Sequence, residues 1–222
     1  MRENAKFQFN TFKAEGQYDF IQIEFDAILE GDVDANKIQS NGQPKIIGNV
    51  KTRELIFTGL GFIEGNCTTK KLELHSRSFI KGDLKVEKAL VDGRLTCEGN
   101  VEIDRLELNG TLDITGDLKC NRITGKGSLL VNNIEVDVIN LEIGNNTKVN
   151  SINASKVKLN AKENTGFFNK LMNKGEKAYI KEIDADRVQL TNIKCDKVTC
   201  AKIALEGNCE VEKKIKREAK AV

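Results

Sequence analysis

Twelve of the eighteen glycines stand on two ladders, each with a step of seventeen residues. Gly31, Gly48, Gly65, Gly82, Gly99 and Gly116 form the first, every one followed by Asp or Asn. Gly42, Gly59, Gly93, Gly110, Gly127 and Gly144 form the second, with Ser76 in the gap between Gly59 and Gly93. A fixed period of this length means one structural unit stacked many times. The glycines fall where the chain must turn, and they are expected to supply the positive φ that tight corners need.

Between the corners the apolar residues recur in the same slots of successive units. Val33, Val50, Cys67, Leu84, Val101 and Leu118 occupy one; Ile38, Leu55, Leu72, Ala89, Leu106 and Ile123 another; Ile46, Ile63, Ile80, Cys97, Ile114 and Val131 a third. Companions such as Val86, Ile103 and Cys120 lie two residues away. A spacing of two is strand periodicity. Each unit therefore holds three short strands, and three strands per coil make a triangular turn of chain. Stacked coils pair edge to edge at about 4.8 Å per step. The predicted fold is all-β: a three-sided parallel β-helix of about ten coils, a rod about 45–50 Å long.

The pattern outruns the glycines and divides the chain. Residues 1–15 precede the first alternating stretch and form an N-terminal segment. Residues 16–160 are the main body, with a one-residue slip around Ile134. Residues 161–178 (Ala161 to Ala178) lose the period of two; Phe167, Phe168, Leu171 and Met172 have helical spacing, which reads as an insertion with a short helix or loop. Over 179–213, pairs such as Ile183/Ala185, Val188/Leu190 and Val198/Cys200 repeat every five residues, a tighter coil of about fifteen or sixteen. Residues 214–222 are a charged tail.

Composition excludes several functions. There are 35 basic and 33 acidic residues, a net charge of +2, with no concentrated basic footprint for nucleic acid. No apolar run approaches membrane-spanning length and no leader pattern opens the chain, so a cytoplasmic location is expected. Cys67, Cys97, Cys120, Cys195, Cys200 and Cys209 all occupy inward slots without CxxC spacing, which reads as reduced thiols filling a core. His75 is the single histidine and sits at a corner. No phosphate loop, nucleophile elbow or metal-ligand spacing occurs, so no catalytic, cofactor-binding or metal-binding residue is assigned and no small-molecule substrate is expected.

The ends of such a stack are its distinctive chemistry. Each leaves unpaired N–H and C=O groups and the apolar cross-section of the core, and open strand edges join other edges unless blocked. At the first end Phe20, Ile21 and Ile23 are the expected joint; at the last, Ile203, Leu205, Cys209 and Val211. Phe7, Phe9 and Phe12 either fold over the first coil as a cap or contact lipid or a partner. Phe167 and Phe168 are a second candidate contact. On the side wall, Phe62 and Phe79 fall in one outward slot of adjacent coils.

These elements together resemble the bactofilins, the polymer-forming cytoskeletal proteins of bacteria. The matching stretches are YDFIQIEFDAILEGDVDANKIQSNG, units such as GDLKVEKALVDGRLTCE and GNVEIDRLELNGTLDIT, and the closing YIKEIDADRVQLTNIKCDKVTCAKIALEGNCEVEKK. The last looks like the longer form common in Gram-positive bacteria, where an insertion precedes the final coils. The resemblance implies a right-handed β-helix that joins end to end into non-polar filaments without nucleotide. It also implies association with the inner face of the cell membrane and with proteins that modify the wall. The long proline-rich tails of many members are missing; Pro44 is the one proline. Two other readings stay open: a non-polymerising scaffold that binds a partner through residues 161–178, and a carbohydrate-active β-helix enzyme.

Overall fold

The computed structural model describes residues 2–14, 16–144, 146–161 and 178–217. Eighteen strands follow one another: β1 (Glu3–Phe7), β2 (Asn10–Lys13), β3 (Gly16–Ile23), β4 (Ala27–Glu30), β5 (Val33–Ser40), β6 (Lys45–Ile47), β7 (Val50–Phe57), β8 (Gly61–Ile63), β9 (Cys67–Leu74), β10 (Arg77–Ile80), β11 (Leu84–Val91), β12 (Arg94–Cys97), β13 (Val101–Ile114), β14 (Leu118–Ile143), β15 (Lys148–Ala161), β16 (Tyr179–Thr191), β17 (Lys194–Glu206) and β18 (Glu210–Lys216). Among the described residues there is no helix. The helix expected around Phe167 and Phe168 lies outside them.

Among the described residues every strand pairing is parallel, and strands meet their counterparts one coil away: β3 with β5, β5 with β7, β7 with β9 and β9 with β11. The chain is an all-β parallel solenoid of about twelve turns, consistent with the expected right-handed three-sided helix. At the ladder spacing that is a rod of roughly 55–60 Å. The count exceeds the expected ten because β1 and β2, which carry no ladder glycine, pair onto β3 and β4, and because β18 opens a further turn above β17. The long strands run through corners that bend without breaking the ladder.

Register records the coil length directly. Leu84 lies opposite Val101 and Val101 opposite Leu118, a step of seventeen. Ile134 lies opposite Ile152, a step of eighteen, which is the slip read in the sequence. Ile183 lies opposite Val198 and Val198 opposite Lys214, steps of fifteen and sixteen. Ile152 pairs with Ile183, so the described coils on either side of residues 162–177 stack directly on one another.

The core is one narrow column of like upon like. Ile21, Ile38, Leu55, Leu72, Ala89, Leu106 and Ile123 form a continuous inward file, each at 5% exposure or less. Burying such an aliphatic side chain contributes about 1.5–3 kcal/mol, so the stack of files is the main source of stability. Inward threonines are satisfied locally: the Thr52 hydroxyl donates to Glu54 O (3.0 Å) and that of Thr69 to Lys71 O (3.0 Å).

The corners correct one expectation. Of the ladder glycines only Gly31, Gly48 and Gly93 have positive φ. At the others except Gly144, stacked corners approach too closely for a side chain. A Cβ on Gly59 would lie 1.9 Å from Gly42 O, and one on Gly110 would lie 1.8 Å from Gly93 O. The Asp or Asn after each first-ladder glycine has its own task. Asn49 N donates to Asp32 Oδ1 (2.7 Å), Asn66 N to Asn49 Oδ1 (2.9 Å), Asp83 N to Asn66 Oδ1 (2.8 Å) and Asn100 N to Asp83 Oδ1 (2.8 Å). A side-chain ladder thus replaces backbone pairing where the corner interrupts it.

Candidate assembly interface

The first end is built by β1 and β2. Among the described residues β1 pairs only with β3 and β2 only with β4, so their other edges carry no ladder bonds there. Ala5 pairs with Ile21, Phe7 with Ile23 and Phe12 with Leu29, which places all three over inward files. Phe7 and Phe12 meet with ring centroids 4.9 Å apart and pack on the core while staying partly exposed. This end therefore presents an aromatic cross-section framed by open strand edges.

Phe9 points elsewhere. Its ring stacks on Phe25 at 4.7 Å and 10° between planes, and both remain about half exposed, at 53% and 52%. Phe25 occupies the second-ladder slot one step below Gly42: a Cβ on Gly42 would lie 2.0 Å from Phe25 O. It holds φ at 60°. A bulky residue in the left-handed region costs about 1–3 kcal/mol, and such strain concentrates at functional positions. Phe25 was not among the residues singled out from sequence, although its place on the ladder of seventeen is visible there.

Phe20, Ile21 and Ile23 do not lie at the terminal edge. Ile21 sits between Ala5 and Ile38, and Ile23 between Phe7 and Ser40; both are fully buried. Phe20 pairs with Asn4 and Lys37. Their ladder edges are already used by β1, so the exposed edge belongs one coil further out. Sequence reasoning missed this because residues 3–13 lack the glycines that mark the other corners.

The last end differs in chemistry. β18 covers only the Lys194–Cys200 part of β17, so among the described residues the outer edge at Ile203 and Leu205 has no ladder partner; Ile203 is 39% exposed and Leu205 partly buried. Cys209 and Val211 are also partly buried against the core, with Val211 opposite Cys195. The four residues expected at this end thus do meet there. However, Lys214 lies opposite Val198 and Lys216 opposite Cys200, so lysine enters the inward files of the last turn. Arg217 ties this turn down through Asp184 (2.5 Å) and Asp186 (2.9 Å).

Between the ends nothing converges for chemistry. Cys67, Cys97, Cys120, Cys195 and Cys200 are buried and unbridged. Burial pushes the Cys67 and Cys195 thiols up to about 12 and those of Cys97 and Cys120 to about 11. These are packing groups, not nucleophiles. His75 is exposed at a corner, its Nδ1 3.8 Å from an Asp92 carboxylate oxygen. Among the described residues no cluster of His, Cys, Asp and Glu could hold a metal ion, and no helix is long and apolar enough to cross a membrane. On the side wall the Phe62 and Phe79 rings stack at 5.1 Å, following the ladder spacing.

The family model described as Bactofilin: Polymer-forming cytoskeletal matches residues 60–134. That span runs from just before β8 into β14, about a third of the chain and the region of most regular period. Comparisons with curated proteins and with solved structures gave no match. The same register continues on both sides of the matched span, through β7 below and β15 above. Residues 60–134 are thus similar to the polymer-forming bactofilins, within a longer stack of the same coils.

Proposed function

We propose that this protein is a structural, filament-forming element that self-assembles end to end through its terminal coils, without nucleotide, and so scaffolds cell shape or wall-associated machinery. The observation that carries this reading is the pair of open ends. Among the described residues, β1 and β2 offer free ladder edges around Phe7 and Phe12 at one end; at the other, β17 offers one at Ile203 and Leu205, beside Cys209 and the Val211 of β18. An open parallel edge over an apolar core is a template for another edge. No catalytic role is part of this reading.

The two ends are suited to different joints. The first is apolar, so two first ends can bury their phenylalanines together. At the last, Lys214 and Lys216 would face their own copies across a like joint, which makes that contact the weaker and the more salt-sensitive one. The exposed Phe9–Phe25 pair beside the first end suits contact with the inner membrane surface or a partner.

Electron microscopy and sedimentation of the purified chain test the reading. The unmodified chain should form filaments. Phe7→Ser with Phe12→Ser should abolish the first joint, and Val211→Arg the second, each leaving short or single rods. Filaments unchanged by both sets of substitutions would refute end-to-end assembly.

A further inference from the structure

Register places Lys71, Lys88, Arg105 and Arg122 directly above one another on one wall. Val138 precedes buried Ile139 as Arg122 precedes buried Ile123, and so fills the next place. It stands opposite Lys156, which is followed by Arg187 and Lys202. The result is two runs of cations, four and three long, each at the ladder spacing of about 4.8 Å and separated by Val138. All seven are exposed.

Like charges directly opposite one another in a sheet are destabilising, so such a line is unfavourable unless something neutralises it. Lys71 is neutralised internally by Glu54 (3.1 Å) and Glu73 (2.7 Å). The other six form no ion pair among the described residues. The carboxylates adjacent in sequence have other partners: Glu87 pairs with Lys70 (3.5 Å), Asp104 accepts from Asn121 (3.0 Å), and Asp186 is held by Arg217 (2.9 Å). Lys88, Arg105 and Arg122 line a shallow trough with Leu90 and Glu107 on its flank.

We propose that this line binds a linear polyanion without bases, such as a phosphate polymer, laid along the rod axis. The line is single and flanked: Glu87 and Asp104 border it on one side, Glu73 and Glu107 on the other. A flat anionic surface would meet those carboxylates, whereas one extended strand of charge lies between them. The flanking file of Ile56, Glu73, Leu90, Glu107 and Thr124 holds no aromatic side chain on which bases could stack. The site needs one rod only and does not depend on assembly at the ends.

Binding of labelled long-chain polyphosphate to the purified chain, followed across a salt series, tests this. Affinity should fall linearly on a log–log plot against salt. The triple variant K88Q/R105Q/R122Q should weaken binding by about tenfold or more. The pair K156Q/R187Q, on the last coils, should weaken it independently. A matched K51Q/K85Q/K119Q on the neighbouring wall should change it less than about twofold, as should Val211→Arg. Circular dichroism should show the glutamine variants folded, since each of their altered side chains is exposed. Absence of binding at low salt, equal loss in the matched control, or tighter retention of anionic phospholipid vesicles or of poly(dT) than of polyphosphate would each overturn the proposal.

Discussion

Replacing Gly110 by alanine puts a methyl group where the coil below already has a carbonyl. The added Cβ would lie 1.8 Å from Gly93 O and 2.7 Å from both Gly93 N and C. Ordinary contact begins near 3.4 Å, so the two corners must separate by about 1.5 Å, a third of the strand spacing. The Thr111 N–H to Gly93 O bond, 2.7 Å long, crosses that gap and cannot survive the movement. Losing one or two ladder bonds and leaving their groups unsatisfied costs roughly 2–4 kcal/mol. Gly144→Ala is the control within the same ladder. Its Cβ meets the rotatable Ser128 Oγ at 2.5 Å and then nothing nearer than 3.8 Å. That change should stay within about 1 kcal/mol, since alanine also restricts the unfolded chain. Urea unfolding followed by far-UV circular dichroism measures both, with the m-value watched because solenoids can unfold in segments. If the two variants are equally stable, close approach is not why the second ladder is glycine.

The core and its thiols yield two more tests. Leu95 is fully buried between Ser78 and Leu112 of the adjacent coils, so Leu95→Ala should cost about 2–5 kcal/mol in the same assay. The thiols make the rod sensitive to high pH. Burial raises Cys67 and Cys195 to about 12, and Cys97 and Cys120 to about 11, from an ordinary 9.0. A group whose folded pKa is raised contributes stability that is complete below its unfolded pKa and lost as pH climbs toward the folded one. Stability should therefore be flat up to about pH 8 and fall between about 9 and 12. Maleimide labelling of the native protein should reach Cys209, which is partly exposed, and spare the buried five. Labelling of Cys67 in the folded chain would show that the column is not closed.

The coil and the core were legible because a solenoid repeats its constraints. Leu72 and Leu106 meet the same environment one coil and two coils apart, so periodicity alone marks them as interior. The ends obey no such repetition. Residues 3–13 form a full coil without a ladder glycine, and only pairing onto β3 and β4 shows it. That pairing moved the candidate edge from Phe20, Ile21 and Ile23 to Phe7 and Phe12. Likewise Phe25 appears unremarkable until its backbone is seen holding φ at 60° in a glycine slot.

Period and alternation thus determined, from the sequence alone, that this chain winds into a parallel three-sided stack with an aliphatic and thiol interior. Those features depend on spacing along the chain, which the sequence states outright. What only the tertiary structure decided was which residues fall into vertical line. A file of six uncompensated cations, a ladder of corner carboxamides and carboxylates, and lysines entering the last core files arise from register between coils. Register depends on coil lengths of seventeen, eighteen, fifteen and sixteen summed across the stack, so a residue's vertical neighbours are set by packing and not by its immediate sequence.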